Sequence, residues 1–90
     1  MASKHRTVIH DEAFARELAD CVPDEETRES ICEGLEWVLS RRPGIGRRIE
    51  TSQVFALNYE LPESPLVVFY TFTTTEVHLL SVQQSSPPDV

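Results

Sequence analysis

Four residues carry side chains that could move a proton or hold a phosphate. Tyr70 and His78 lie in one β-rich stretch, PLVVFYTFTTTEVHLLSV, from Pro65 to Val82. Arg47 and Arg48 close the segment RRPGIGRR, residues 41–48. Cleaving an RNA strand needs a base for the 2′-hydroxyl, an acid for the leaving oxygen and cations for the phosphate. Tyr70 and His78 could exchange the protons, and the arginines could hold the anion. The plainer reading is favoured: Tyr70 packs in a sheet with its hydroxyl at the rim, and His78 is a surface cross-strand residue. A lone histidine without a paired base or cation is more often structural than catalytic.

Arg41, Arg42, Arg47 and Arg48 make up half of the eight Lys and Arg residues and bracket one loop. They fit a local binding site for an anion, a nucleic acid or an acidic partner. They fit equally well a charge pair at a helix C-terminus followed by a solvated loop. Residues 11–36 carry ten acids against Arg16 and Arg28, a local charge of −8. Two solvated helix faces account for this most simply; a surface that accepts a basic partner segment is the sharper alternative. Cys21 and Cys32 are expected to be free and buried. His5, His10 and His78 are dispersed, so neither a metal nor any other cofactor is expected.

The elements that must position these residues follow from the patterning. Ninety residues predict one domain with a thin core, spanning 1–90 with flexible ends at 1–5 and 83–90. The net charge of −7 argues against generic nucleic-acid binding. No run is long enough to span a membrane and the N-terminus lacks an apolar signal segment, so a cytoplasmic location is expected. Residues 6–10 read as a strand. Asp11 would cap a helix over 11–21 whose Phe14, Leu18 and Cys21 or Val22 recur at helical spacing. Pro23 breaks it, and Asp24 caps a second helix with an Ile31, Leu35, Val38, Leu39 stripe, with Trp37 at the margin. Pro43–Arg48 reads as a loop, Thr51–Glu60 as a half-buried strand, and 66–72 and 76–82 as the central hairpin. The result is a two-layer α+β domain, β-α-α-β-β-β, with a helical hairpin on an antiparallel sheet. The helices can cover only one face. The other would expose part of the set Phe55, Leu57, Val68, Tyr70 and Leu80, rimmed by the four arginines, and would invite a partner or a second copy.

From Leu35 to Val82 the chain resembles the RelE/ParE superfamily of bacterial toxin–antitoxin toxins. The resemblance rests on the Leu35, Val38, Leu39 helix end, the PGIGR loop of Pro43–Arg47 and the LVVFYTFTTTEVHLLSV hairpin. It implies a helical hairpin on an antiparallel sheet, and either an antitoxin partner or a homo-oligomer. Ribonuclease members tend to carry basic residues on the sheet and a Tyr or His near the C-terminus. Here Thr51–Glu60 holds no Lys or Arg, and Gln83 and Gln84 follow the last strand. The resemblance therefore points to a ParE-like protein-binding toxin with DNA gyrase as target and no enzymatic activity. The alternatives are a RelE-like ribosome-dependent mRNA endonuclease, or a non-toxic relative serving only as an interaction module.

Overall fold

The computed structural model describes residues 5–61 and 65–85. Strand β1 (Thr7–His10) leads into helix α1 (Glu12–Cys21) and helix α2 (Glu25–Arg41). A single 3₁₀ turn (Pro43–Ile45) precedes β2 (Arg47–Arg48), β3 (Phe55–Tyr59), β4 (Leu66–Phe72) and β5 (Glu76–Gln84). The strands form one sheet in the order β1-β5-β4-β3-β2, with the expected hairpin at its centre. The β5-β4-β3 part is antiparallel, as expected, and β2 extends it as a further antiparallel strand. β1 adds a parallel strand beside β5, so the complete sheet is mixed.

The local chemistry explains most boundaries. The Asp24 carboxylate accepts the Thr27 N–H at 2.9 Å and caps α2. Asp11 occupies the equivalent position on α1 through its backbone alone, without the expected side-chain cap. Its N–H donates to the Leu79 carbonyl and its own carbonyl accepts from Ala15, which ties the start of the helix to β5. Three expected boundaries shift. The polar run Thr51–Gln53 is the turn of the β2–β3 hairpin rather than strand, closed by the Ile49 N–H donating to the Val54 carbonyl. Arg47 and Arg48, expected in a loop, pair with Ala56 and Phe55. Gln83 and Gln84, expected in a loose tail, pair with Val67 and Leu66. The remaining expected flexible residues, 1–4 and 86–90, and residues 62–64 of the LPESP turn lie outside the described residues.

The core lies between the helices and one sheet face. Phe14, Leu18, Ile31, Leu35 and Leu39 meet Leu66, Val68, Tyr70, Val77, Leu79 and Val82, all buried. Phe55, Leu57 and Tyr59 pack at its edge. This corrects the expectation for the open face. Cross-strand pairing puts Phe55 with Tyr70 and Leu57 with Val68 on the helix side. The face away from the helices carries Ala56 beside Phe69, Asn58 beside Val67, and Thr71, His78 and Ile9 in one row. Leu80 is the extra residue where β5 bulges opposite Phe69 and Tyr70, and it does not join the core.

β1 covers β5 only as far as Leu79, which leaves the strand's outer edge open beyond that point. Helix α1 closes this edge. The Glu17 carboxylate accepts from the Ser81 hydroxyl at 2.7 Å and the Val82 N–H at 3.0 Å. One turn later, the Gln84 N–H points at the Cys21 sulfur. An unpaired edge invites pairing with foreign strands, and side-chain acceptors blunt it here.

Two predictions follow from the packing. Leu35 is 1% exposed, so Leu35→Ala should cost about 2–5 kcal/mol in denaturant unfolding, as buried leucine truncations do. A loss under about 0.5 kcal/mol would mean that the stripe faces solvent. The second concerns Glu17, whose pKa is lowered mainly by the Ser81 hydroxyl and then by the Val82 N–H. Its folded pKa lies below its unfolded one, so the ionised carboxylate stabilises the fold above the unfolded value. That contribution disappears as pH falls through the folded value. Glu17→Gln should flatten part of the acid limb of the stability–pH curve; an unchanged limb would show that the edge cap is energetically idle.

Candidate functional site

The two proton-transfer candidates do not meet. Tyr70 pairs with Leu79, and His78 with Thr71. One step along a strand reverses the side chain, so Tyr70 points to the helices and His78 to the open face. Tyr70 is fully buried. Its hydroxyl donates to the Pro43 carbonyl at 2.6 Å and accepts the Gly46 N–H at 2.9 Å. Burial pushes its pKa up, against a smaller opposing effect of the Gly46 N–H. The phenol is therefore a neutral clamp that holds the 3₁₀ turn to the sheet. His78 faces Glu76 of its own strand, Nε2 to Oε1 at 2.9 Å, with Ile9 as its neighbour on β1.

The loop the clamp holds is built to close tolerances. A Cβ on Gly46 would lie 2.6 Å from the Tyr70 hydroxyl and 2.9 Å from the Ala56 carbonyl oxygen. Gly44 has open space instead. The turn thus takes the chain from the end of α2 directly against β3 and β4, with its apolar Ile45 44% exposed.

The four arginines surround this loop on different sides. Arg41 lies over the Trp37 ring with its guanidinium carbon 4.4 Å from the ring centre, and donates to the Trp37 carbonyl at 2.9 Å. Arg42 caps the helix and is exposed. Arg47 shares the open face with Ala56 and Phe69. Arg48 stands in the Phe55 and Tyr70 row on the other face, and its Nε donates to the Ser52 carbonyl at 2.8 Å. Arg47 alone borders the open apolar face, so the expected four-arginine rim is not one rim. The cluster is a positive crest along one end of the molecule.

Trp37 is the feature that patterning undervalued. It is 61% exposed, and with Arg41 it forms a projecting apolar and cationic surface at the end of α2. Exposed Trp with Arg is the composition of interface anchors. The signal was present in the sequence as an aromatic residue one position outside the buried stripe of α2. Arg6 was also overlooked; it donates to the Thr73 carbonyl at 2.6 Å and lies over Phe72, which pins the β4–β5 turn. Both thiols are half-buried and raised in pKa, foremost by burial, so neither is an activated nucleophile. Among the described residues no three His, Cys, Asp or Glu side chains converge as a metal site. No helix among them is long and apolar enough to cross a membrane.

Comparison with solved structures identifies this architecture. A chain of the toxin–antitoxin complex RelBE2 from Mycobacterium tuberculosis superimposes with a TM-score of 0.71 at 21% identity, covering 93% of this chain and 95% of that one. A chain of the intact Escherichia coli RelBE toxin–antitoxin complex gives 0.66 at 19% identity, covering 91% and 99%. The isolated E. coli RelE toxin gives 0.67 at 18% identity, covering 93% and 88%. No protein-family model matches the sequence, and no curated protein matches it significantly. At these identities the likeness is one of fold: the chain folds as the RelE toxin does, over nearly the full length of both.

The clamp yields a direct test. Tyr70→Phe leaves the Pro43 carbonyl and the Gly46 N–H without their partner, and should cost about 1–3 kcal/mol in stability. Gly46→Ala should destabilise, while Gly44→Ala should not. Equal effects at the two glycines would show that the loop is not held against the sheet.

Proposed function

We propose that this protein is the toxin-like member of a RelBE-type toxin–antitoxin pair and acts through protein contacts rather than by cutting RNA. The observation that carries the first half is the fold likeness to RelE over more than nine-tenths of the chain. Two of the likenesses are to chains in toxin–antitoxin complexes, which supports an antitoxin as the partner. The second half is supported by the separation of Tyr70 from His78. The phenol is buried and doubly hydrogen-bonded, and the imidazole lies on the opposite face beside a carboxylate. A buried, neutral phenol cannot reach a ribose hydroxyl. The net charge of −7 works against broad RNA docking. The finer assignment is the ParE-like class that inhibits gyrase, with Trp37 and the arginine crest as the contact surface.

A second reading is a RelE-like ribosome-dependent mRNA endonuclease. The fold likenesses favour it, because they are to RelE. It would place the chemistry on residues other than Tyr70 and His78.

Three assays separate the readings. The protein should copurify with the product of an adjacent small reading frame, and it should slow DNA supercoiling by gyrase. It should leave mRNA intact with or without ribosomes. Trp37→Ala and Arg47→Glu should weaken target inhibition without changing the unfolding midpoint by more than about 0.5 kcal/mol equivalent, as surface changes do. Ribosome-dependent cleavage at defined positions would transfer the proposal to the second reading. Absence of any stable partner would remove the toxin–antitoxin assignment altogether.

A further inference from the structure

Helices α1 and α2 diverge and leave an open cleft of about 400 Å³ on the acidic side of the molecule, far in character from the arginine crest. Exposed Ala15 and half-buried Cys32 give it a small apolar floor, beneath which the core residues Phe14 and Leu18 are already buried. One wall is a ladder of carboxylates on α2: Glu25, Glu29 and Glu33, each one turn beyond the last, followed by Glu36. From Glu25 to Glu36 the ladder is about 16 Å long, three helical turns.

The cleft has almost no positive charge of its own to offset this wall. His10 faces Glu36 at 3.0 Å, at the far end of the ladder. Arg28 lines the cleft, but its guanidinium turns into the end of α1 and donates to the Val22 and Pro23 carbonyls, both at 2.8 Å. Glu25, Glu29 and Glu33 have no hydrogen-bond or ion-pair partner among the described residues. Like charges at i, i+4 spacing weaken a helix, so Glu29 and Glu33 oppose the stability of the element that carries them, whereas Glu25 suits its first turn.

We infer that this cleft docks a basic amphipathic helix of a partner protein. Its Lys or Arg side chains, one turn apart, would meet Glu25, Glu29 and Glu33, while its small apolar face would lie on Ala15 and Cys32. Helix-in-groove recognition uses this division between anchors and charged edge. A nucleic acid is excluded by the same carboxylates that attract the helix. A small soluble cation would satisfy the ladder but make no use of the floor. The inference stands apart from the toxin reading, since it follows from the cleft and holds whether or not the protein inhibits a target.

The test uses the whole protein and a synthetic probe. The probe is an acetylated Ala/Leu/Lys peptide of about 15 residues, long enough to span the ladder, with lysines at i, i+4 and i+8 beside an Ala/Leu face. A scrambled peptide of the same composition is the control for bulk charge. Calorimetry should give the amphipathic peptide at least about tenfold tighter binding than the scrambled one. Amide NMR shifts should localise to Ala15, Glu29 and Cys32. Binding should weaken with salt, and the preference should vanish in Glu29→Lys with Glu33→Lys. Filling the floor with Ala15→Phe should abolish it without altering charge. Asp20→Lys with Glu60→Lys changes the net charge by the same amount outside the cleft and should preserve the preference. Equal binding of both peptides, no binding of either, or equal losses in the two Lys pairs would overturn the inference.

Discussion

The fold depends on one buried hydroxyl. Tyr70 stands on the central strand, and its phenol bridges the Pro43 carbonyl and the Gly46 N–H. Those two groups begin and end the short connection from α2 to β2. A buried carbonyl or N–H without a partner is costly, so the bridge fixes where α2 must stop and where β2 must start. Gly46 follows from the same constraint, since any side chain there would strike the phenol and the Ala56 carbonyl. Once the loop is seated, Arg41 and Arg42 on one side and Arg47 and Arg48 on the other are brought to one end of the molecule. Their grouping is thus a consequence of the clamp as much as of the sequence.

The second constraint is edge protection. A small sheet with a two-residue strand at one side and a four-residue strand at the other has little to hide its backbone. Glu17 and Cys21, four residues apart on α1, lie over the uncovered edge of β5. That duty accounts for one of the ten acids in the helical segment, and Asp24 accounts for another as the cap of α2. Glu36 faces His10. Seven remain, and three of them, Glu25, Glu29 and Glu33, stand on the cleft wall. The acidic balance of residues 11–36 is thus a composite in which some carboxylates maintain the fold and others are left facing the cleft.

Much of this was legible in advance. The helices declared themselves through Phe14–Leu18 and Ile31–Leu35–Leu39 spacing, and β4 and β5 through their dense Val, Phe and Leu content. The fold resemblance was carried by the same stretch. Other features were silent for physical reasons. β2 is two exposed arginines, which hold no strand pattern. The parallel pairing of β1 with β5 is set by contacts some seventy residues apart in sequence, beyond any local signal. The bulge at Leu80 shifts the pairing by one, and pairing parity alone decides which residues share a face. The open face was expected to carry part of the set Phe55, Leu57, Val68, Tyr70 and Leu80, and the first four lie under the helices instead. The same parity separates Tyr70 from His78. Trp37 stood in plain view, but only the structure could distinguish a margin residue from a projecting one.

The molecule is electrically polar, and this bears on how it could hold two partners at once. The arginine crest sits where α2 ends, and the carboxylate ladder begins in the first turn of the same helix. Helix α2 is seventeen residues long, but the ladder runs along it to Glu36, about 8 Å along the axis from Arg41, so the two surfaces are far apart only at the Glu25 end. That gap matches the screening length of about 8 Å at physiological ionic strength, so Glu36 and Arg41 each weaken the other's field for an approaching partner. An acidic segment would be drawn to the Arg42 side of the crest, and a basic one to the Glu25 end of the cleft. Both surfaces are fixed to one rigid element, whose far end is locked by the Tyr70 clamp. Coupling through displacement of α2 would require the helix to shift against Leu66, Val68 and Leu79, a close-packed layer that resists small displacements. The geometry thus favours electrostatic coupling, carried by the stretch from Glu36 to Arg41, over a conformational one.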